Sequence, residues 1–202
     1  MSATIAGPDG KPRCRWCAAA PEFLAYHDSE WGFPVSDDRR LFEKLCLEGF
    51  QSGLSWRTIL AKRENFRAAF HHFDFDRIAG FTDTDVTRLL QDQGIVRHRG
   101  KIEAVINNAR RAQEVVKQHR SLAAYVWRFE PAPDELAPPQ TASTSPASIL
   151  MSKDLKKRGW AFVGPTTVYA FMQAMGLIND HAEGCVVREQ AARAREAFQL
   201  PE

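Results

Sequence analysis

Glu48 lies in the stretch CLEGFQSGLSW, residues 46–56, on a face that the helical spacing predicts to be apolar. Positions 41, 45 and 48 follow an i, i+4, i+7 pattern, so Glu48 shares a stripe with Leu41 and Leu45. Two glycines remove side-chain bulk nearby, and Trp56 follows. The pattern predicts a carboxylate that lines a pocket. The alternative is a glutamate at a helix end whose head group turns back to solvent or pairs with a basic residue.

Aromatic residues are dense ahead of this stretch, and most aromatic side chains in proteins belong to the core. A carboxylate beside several aromatic faces nevertheless suits a flat, electron-poor or cationic ligand, through stacking, cation–π attraction and charge pairing. A nucleobase fits that description. The residues concerned are Trp16, Phe23, Tyr26, Trp31 and Phe33.

Cysteine and histidine residues near both ends of the chain offer soft metal ligands. His181 and Cys185 are i and i+4, and they share one side if residues 179–185 are helical; Cys14 and His27 supply two more. A tetrahedral zinc site from these four would join the two termini. Two alternatives stay open: the residues are unrelated and merely buried, or Cys14 and Cys17 of a CxxC pair with His181 and Cys185. Cys46, on an apolar helix face, is interpreted as core.

The segment GIVRHRGK, residues 94–101, gathers positive charge between two apolar helical stretches. Its cations stand at the start of a helix, where backbone N–H groups also favour an anion, so the segment predicts a phosphate-binding hairpin. The alternative is a solvated basic loop. The predicted DNA-contacting residues are Gly94, Arg97, His98, Arg99, Gly100 and Lys101. A second basic run, Lys153, Lys156, Lys157 and Arg158, is a weaker candidate, because amphipathic helices routinely expose lysines.

Helical periodicity predicts the elements that must position these residues. The first helix starts near Ser36 and runs to about Gly49, and a second helical stretch begins at Ser55. Thr82 and Asp85 form a capping box, and the helix that they open is predicted to end at Gly94. The next helical period opens at Ile102.

The remaining chain divides in the same way. Residues 130–146 are rich in Pro, Ser and Thr and predict a loop. A helix is predicted from Ser148 to Gly159, and another from Pro165 to Gly176. With no competing strand pattern, the prediction is an all-α protein whose terminal segments form a lobe apart from the central helices, and residues 1–13 are predicted to be a flexible extension.

Composition excludes several classes of protein. A chain of 202 residues with 44% hydrophobic content builds one domain by default. No run approaches the roughly 20 apolar residues of a membrane span, and the N-terminus lacks the apolar core of a signal peptide. We therefore expect a cytoplasmic protein, a monomer by default, with reduced cysteines. The net charge of +2 is too small to imply a polyanion partner by itself.

Several long blocks of the sequence together resemble the DNA-3-methyladenine glycosylase I family. They run from about Cys14 to Cys185, nearly the whole chain: CRWC, AYHDSEWGFP, LFEKLCLEGFQSGLSW, ILAKRENFRAAF, GIVRHRGKI, LKKRGWAFVGPT and FMQAMGLINDH. The resemblance implies the all-α helix-hairpin-helix glycosylase fold, with one domain over residues 14–202, a central lobe over about 36–129 and a zinc-stapled lobe of the termini. It also implies hydrolysis of the N-glycosidic bond of 3-methyladenine in alkylated double-stranded DNA.

The same resemblance assigns site residues by matching blocks. It implies one zinc ion held by Cys14, His27, His181 and Cys185, which is structural because four protein ligands leave no open position. It implies a base pocket of Tyr26, Glu48 and Trp56, with Trp16 and Trp31 close by. Glu48 is then expected to accept hydrogen bonds from the flipped base and to favour its positive charge.

Two departures from the superfamily pattern carry a prediction. Val96 stands where the hairpin's second glycine is common, and no Asp occurs between Asp92 and Asp134, where such enzymes usually carry one to stabilise the sugar cation. A base that is already cationic is a good leaving group, so binding and extrusion can supply much of the catalysis. This predicts narrow specificity and a monofunctional enzyme.

Two other functions remain as alternatives. A bifunctional glycosylase-lyase would need a Schiff-base lysine, and the only lysine of the hairpin, Lys101, opens the helix instead of standing in the loop. A zinc-stabilised nucleic-acid binding module would keep the basic hairpin and the metal ligands. It would have no need for Glu48 beside Trp56.

Overall fold

The computed structural model describes residues 2–202, and helices make up most of this part of the chain. A mostly helical architecture is therefore confirmed. Short 3-10 turns lie at Arg15–Ala19, His71–Phe73 and Pro133–Glu135. The helices are α1 (Pro21–Ser29), α2 (Asp38–Gln51), α3 (Trp56–Ala61), α4 (Arg63–Ala69), α5 (Phe75–Ile78), α6 (Asp83–Gln91), α7 (Arg99–His119), α8 (Leu122–Trp127), α9 (Pro146–Lys157), α10 (Pro165–Ala174) and α11 (Val186–Ala197).

The N-terminal segment forms a β-hairpin, so the prediction of a flexible extension is wrong for the described residues of 1–13. Strands β1 (Thr4–Ala6) and β2 (Pro12–Cys14) pair antiparallel, with Thr4 opposite Cys14. Strands of three residues are too short to show alternation in the sequence. Arg13 anchors the hairpin, because its guanidinium pairs with both Asp9 and Asp28. The hairpin thereby delivers Cys14 to the interior.

Helix α2 occupies the centre of the molecule, where it packs against α7, α8 and α10. The Asp37 side chain caps it by accepting from the Arg40 amide at 2.8 Å. The predicted end near Gly49 falls two residues short of the observed end, Gln51. Gly53 then takes a φ of 77°, which reverses the chain into α3. Lys44 and Glu48, four residues apart, both project from the buried part of this helix.

The predicted hairpin lies between α6 and α7, but its bounds differ. The capping box of Thr82 and Asp85 is present as predicted. Helix α6 ends at Gln91 instead of Gly94, because Asp92 has extended backbone angles. Helix α7 begins at Arg99, with the His98 ring nitrogen Nδ1 accepting from the Lys101 amide. Arg99, Gly100 and Lys101 therefore belong to the first turn of the helix, and the connecting segment spans 92–98.

The C-terminal helices begin and end close to their sequence signals. Ser145 caps α9 with Pro146 at the first helical position, so this helix starts two residues before the predicted Ser148. Pro165 begins α10, and Gly176 follows it with a φ of 81°, as predicted. The 130–146 segment is irregular apart from one 3-10 turn and the first residue of α9.

A single connected cluster of buried apolar side chains runs through the terminal segments and the central helices. Cys46, with 3% of its surface exposed, belongs to this core, as predicted. No helix in the described part of the chain is long and apolar enough to cross a membrane.

Candidate active site and metal centre

A cavity of about 180 Å³ opens beside α2, and Glu48 forms part of its wall. Five predicted residues meet here, although they come from three separate stretches of the sequence. Three lining residues, Gln51, Ala170 and Gln173, were not predicted. Ala170 and Gln173 belong to α10, which approaches the cavity only through the tertiary fold. The lining residues are Trp16, Tyr26, Trp31, Glu48, Gln51, Trp56, Ala170 and Gln173.

Aromatic rings form the walls of this pocket. The Tyr26 and Trp56 ring centroids are 5.5 Å apart with an interplanar angle of 44°. Trp16 lies edge-on to Trp31 at 5.1 Å. The indole nitrogen of Trp56 is buried and has no hydrogen-bond partner among residues 2–202. The pocket therefore offers apolar faces for a flat ring.

Lys44 is the site residue that the sequence interpretation missed. Its ammonium Nζ lies 3.0 Å from Glu48 Oε1, donates to the Tyr26 hydroxyl at 2.5 Å, and sits 3.5 Å from the centroid of the Trp56 ring. Lys44 and Glu48 are each only 6% exposed. Glu48 is thus a buried carboxylate, as predicted, and it also pairs with a basic residue, as the alternative proposed, because a lysine one helical turn earlier compensates its charge. The i, i+4 spacing of Lys44 and Glu48 was the available signal.

Burial controls the titration of the groups around Glu48. It lowers the pKa of Lys44, although the Glu48 carboxylate opposes this shift. Burial also raises the pKa of Tyr26 well above its usual value, so the phenol stays protonated. Removing one member of a buried ion pair leaves the other charge uncompensated, so Lys44 and Glu48 each stabilise the charged form of the other.

A second groove, of about 340 Å³, adjoins the pocket and shares Glu48, Gln51 and Ala170 with it. The turn after α2 and the start of α10 form its other walls. Leu54 stands in this groove with 41% of its surface exposed. The shared residues make the groove a route from the surface to Glu48.

The basic hairpin exposes only part of its predicted cations. Arg97, His98 and Arg99 are exposed, and Arg99 pairs with Glu103 at 3.2 Å. Lys101 is 8% exposed and donates to the backbone carbonyls of Phe50 and Ser52 at the end of α2. This contradicts the prediction that Lys101 lends its charge to a phosphate, because the carbonyls at a helix C-terminus attract the ammonium inward.

Glycines keep the hairpin backbone compact. The Gly94 amide donates to Asp92 Oδ1, and a Cβ at Gly94 would lie 2.9 Å from that oxygen. Gly100 lies within the first turn of α7. Three residues of the second basic run, Lys153, Lys157 and Arg158, line a separate groove, and none of the run lines the pocket of Glu48.

Four buried side chains form a candidate metal centre: Cys14, His27, His181 and Cys185, whose ligand atoms all lie within 4.8 Å of one another. His181 Nδ1 is 3.2 Å from His27 Nε2 and 3.6 Å from Cys14 Sγ. Cys185 Sγ is 3.5 Å from His27 Nε2. Tetrahedral zinc, with bonds of ~2.0–2.3 Å, separates such ligand atoms by about 3.3–3.8 Å. These three distances are close to the values for that geometry.

Neighbouring groups orient both histidines for metal binding. His27 Nδ1 is 2.7 Å from Asp28 Oδ1, and Arg13 Nε donates to both oxygens of that carboxylate. His181 Nε2 is 2.9 Å from the Trp31 carbonyl oxygen. These contacts leave His27 Nε2 and His181 Nδ1 as the metal-facing atoms. A Cβ at Gly32 would lie 2.9 Å from His181 Nε2, so this approach needs glycine.

The structure decides between the ligand sets that the sequence left open. Cys17 is buried but lies outside the cluster of four, which contains His27 instead. The condition that residues 179–185 are helical is wrong: the chain is irregular there, and Cys185 takes the N-cap position of α11. Gly184, with a φ of 80°, makes the turn that brings Cys185 back toward His181.

Burial shifts the pKa of two of these side chains, Cys14 and His181. It raises the pKa of the Cys14 thiol to about 12 and, together with the neighbouring His27 ring, lowers the pKa of His181 to about 4. His181 is therefore a neutral imidazole, which is the form that ligates metals. Trp31 packs on His181, with centroids 4.7 Å apart, and also lines the pocket, so the two sites share a wall.

Comparison with known proteins gives one consistent family. Residues 16–189 match the profile of the methyladenine glycosylase family. DNA-3-methyladenine glycosylase 1 of Escherichia coli (strain K12) is 50% identical over 177 residues, which cover 86% of this chain and 95% of that protein. A crystal structure of a 3-methyladenine DNA glycosylase I superposes with a TM-score of 0.81 at 50% identity, covering 86% of this chain and 98% of that one.

A further solved structure is similar to this chain and carries a ligand. It is a tyrosine-to-phenylalanine variant of a 3-methyladenine DNA glycosylase I in complex with 3-methyladenine. It has a TM-score of 0.81 and 34% identity, and the match covers 87% of this chain and 97% of that one.

Proposed function

Because the chain belongs to the methyladenine glycosylase family of DNA-repair enzymes, we propose that it flips 3-methyladenine out of alkylated duplex DNA into the pocket of Glu48 and hydrolyses the N-glycosidic bond. One observation carries this proposal: a buried carboxylate stands beside the faces of Tyr26 and Trp56. Methylation at N3 places a positive charge on the base. A carboxylate and aromatic faces stabilise such a ring better than a neutral purine.

Cleavage moves the positive charge from the base to the sugar. The C1′–N9 bond breaks, its electron pair returns to the base, and the base leaves as neutral 3-methyladenine. Water adds to C1′ and releases its proton to solution, so an abasic site remains. Glu48 recognises the base and stabilises its charge, while the good leaving group makes a dedicated acid unnecessary. The absence of an Asp between Asp92 and Asp134 agrees with this division of work.

The proposed enzyme is monofunctional. Its hairpin lysine, Lys101, is engaged with two backbone carbonyls and does not face a substrate. Lys44 is held in an ion pair with Glu48. A Schiff-base lyase requires a free amine at the sugar. Borohydride treatment during turnover should trap no covalent adduct with DNA, and a trapped adduct would revive the lyase.

The test of this function is the release of free bases from duplex DNA treated with dimethyl sulfate, followed by chromatography with mass detection. We expect 3-methyladenine without 7-methylguanine. Release of both bases would keep the glycosylase but contradict the narrow pocket. Release of neither, from folded and zinc-loaded protein, would instead support the zinc-stabilised binding module.

Exposed cations of the hairpin are proposed to bind the DNA backbone. Arg97→Met should weaken binding to duplex DNA at every sequence and reduce the slope of log K against log salt by about 0.9, the contribution of one phosphate contact. Lys117→Met, an exposed cation near the far end of α7, is the matched control. If both variants changed the salt slope equally, the hairpin would have no special role.

We propose that Cys14, His27, His181 and Cys185 hold one zinc ion. Two thiolates and two neutral imidazoles are a donor set that zinc favours, and four protein ligands leave no position for a catalytic water. The ion would tie β2 and α1 to the segment before α11. Its role is thus to stabilise the wall that Trp31 shares with the pocket. The monomeric state and the cytoplasmic location stay predictions from the sequence.

A further inference from the structure

The ammonium of Lys44 contacts three residues that line the pocket and that would also suit a cationic ring: Glu48, Trp56 and Tyr26. It contacts the Glu48 carboxylate at 3.0 Å and lies 3.5 Å from the centroid of Trp56. It is also 4.8 Å from the centroid of Tyr26. A methylated base that pairs with the same Glu48 oxygen, or stacks on the same face of Trp56, would take the place of the ammonium.

We propose that Lys44 is a product-release residue: a resident cation that the charged substrate base displaces and that expels the neutral product by pairing again with Glu48. This inference rests on the proposed function. It assigns a role in the reaction to a residue that neither binds DNA nor touches the scissile bond.

The charge on the base changes during the reaction. Before cleavage the base is cationic, so Glu48 and Trp56 exchange one cation for another and no buried charge is left unpaired. After cleavage the electron pair of the C1′–N9 bond returns to the ring and removes that charge. Glu48 then lies beside a neutral ligand while the ammonium has lost its main partner. Re-forming the buried ion pair between Lys44 and Glu48 favours departure of the base.

The surroundings of Lys44 offer its ammonium partners other than Glu48. The Tyr26 hydroxyl already accepts a hydrogen bond from it, and the Glu30 carboxylate attracts it electrostatically. Glu30 also pairs with Arg63 at 2.6 Å, so its attraction for Lys44 is weaker than that of Glu48. A lysine has a flexible four-carbon stem, which suits a short movement of this kind.

The test measures inhibition by the product, free 3-methyladenine. Lys44→Met keeps the length of the stem without the charge, and Lys44→Arg keeps the charge. We expect Lys44→Met to lower the inhibition constant Ki at least about tenfold, because no ammonium competes for Glu48. Lys44→Arg should keep a Ki close to that of the unaltered enzyme, as should the matched control Lys117→Met.

Two further measurements keep the outcome interpretable. Melting temperatures of all variants show whether Lys44→Met is folded, and calorimetric titration with 3-methyladenine gives the dissociation constant even if a variant is inactive. A Lys44→Met enzyme with unchanged or weaker product binding would overturn the inference. If the unaltered enzyme released no 3-methyladenine from methylated DNA, the proposed function would be wrong. The dissociation constants of 3-methyladenine for the unaltered chain and for Lys44→Met would still test the role of Lys44.

Discussion

Glu48→Gln is expected to lower kcat/KM for release of 3-methyladenine by about 100-fold or more, within the range for loss of a charged catalytic group. The amide keeps the shape of the side chain and can still accept from Lys44, so folding should persist. It removes the negative charge that offsets the cationic base in a pocket where Glu48 is 6% exposed. Base release from methylated DNA and the affinity for undamaged duplex DNA are the measurements.

Glu43→Gln provides the matched control for this variant. Glu43 lies on the same helix, five residues earlier, and pairs with Arg67 away from the pocket. The same change of charge there should leave base release within about twofold, since Glu43 pairs with Arg67 and does not line the pocket. The role assigned to Glu48 is wrong if both variants are equally active, or if Glu48→Gln loses DNA affinity in proportion to activity.

Removal of the metal is expected to lower the melting temperature by about 10 °C. Zinc at ~1,000 times its dissociation constant stabilises the folded state by about 4 kcal/mol, and a chain of this size changes by roughly 2–4 °C per kcal/mol. Cys185→Ser should have a similar effect, because it removes a ligand from a buried site. Thermal melts with and without chelator, together with metal content by mass spectrometry, are the measurements.

Two variants separate the ligands from their surroundings. Asp28→Ala removes the carboxylate that orients His27 and should weaken zinc binding by about 10–100-fold while leaving the four ligands in place. Cys17→Ser changes a buried cysteine outside the cluster and should retain one zinc per chain. If removal of the metal abolished activity and left the melting temperature unchanged, the metal would have no structural role. Loss of zinc in Cys17→Ser would show that the ligand set is wrong.

Local sequence signals predicted several helix boundaries, whereas α1, α5, α8 and α11 were not predicted. The capping box of Thr82 and Asp85 begins α6, and Pro165 with Gly176 brackets α10, as expected. These signals act through hydrogen bonds and backbone angles within about four residues, so they operate before the tertiary fold exists. Boundaries shifted by two or three residues at Gly49, Gly94 and Ser148, where several nearby residues could end or cap the same helix.

The sequence predicted which residue types form the candidate site, but it did not predict how all of them are arranged. A glutamate on an apolar stripe near many aromatics indicated a pocket, and the structure brings Tyr26, Glu48 and Trp56 together. The partner of Glu48 went unnoticed, because a lysine on a helix is usually exposed. Burial of Lys44 follows from α1 and α3, which carry Tyr26 and Trp56 and pack over this part of α2.

The sequence by itself determined the helical character, the main boundaries and the residue types of both sites, because these depend on local spacing and chemistry. Tertiary structure alone decided the rest. It buried Lys44 against Tyr26 and Trp56, turned Lys101 toward the end of α2 and ordered the N-terminal hairpin through Arg13. Each of these contacts joins groups that are separated in the sequence. The charged groups and carbonyls come within reach of the side chain only after the helices have packed.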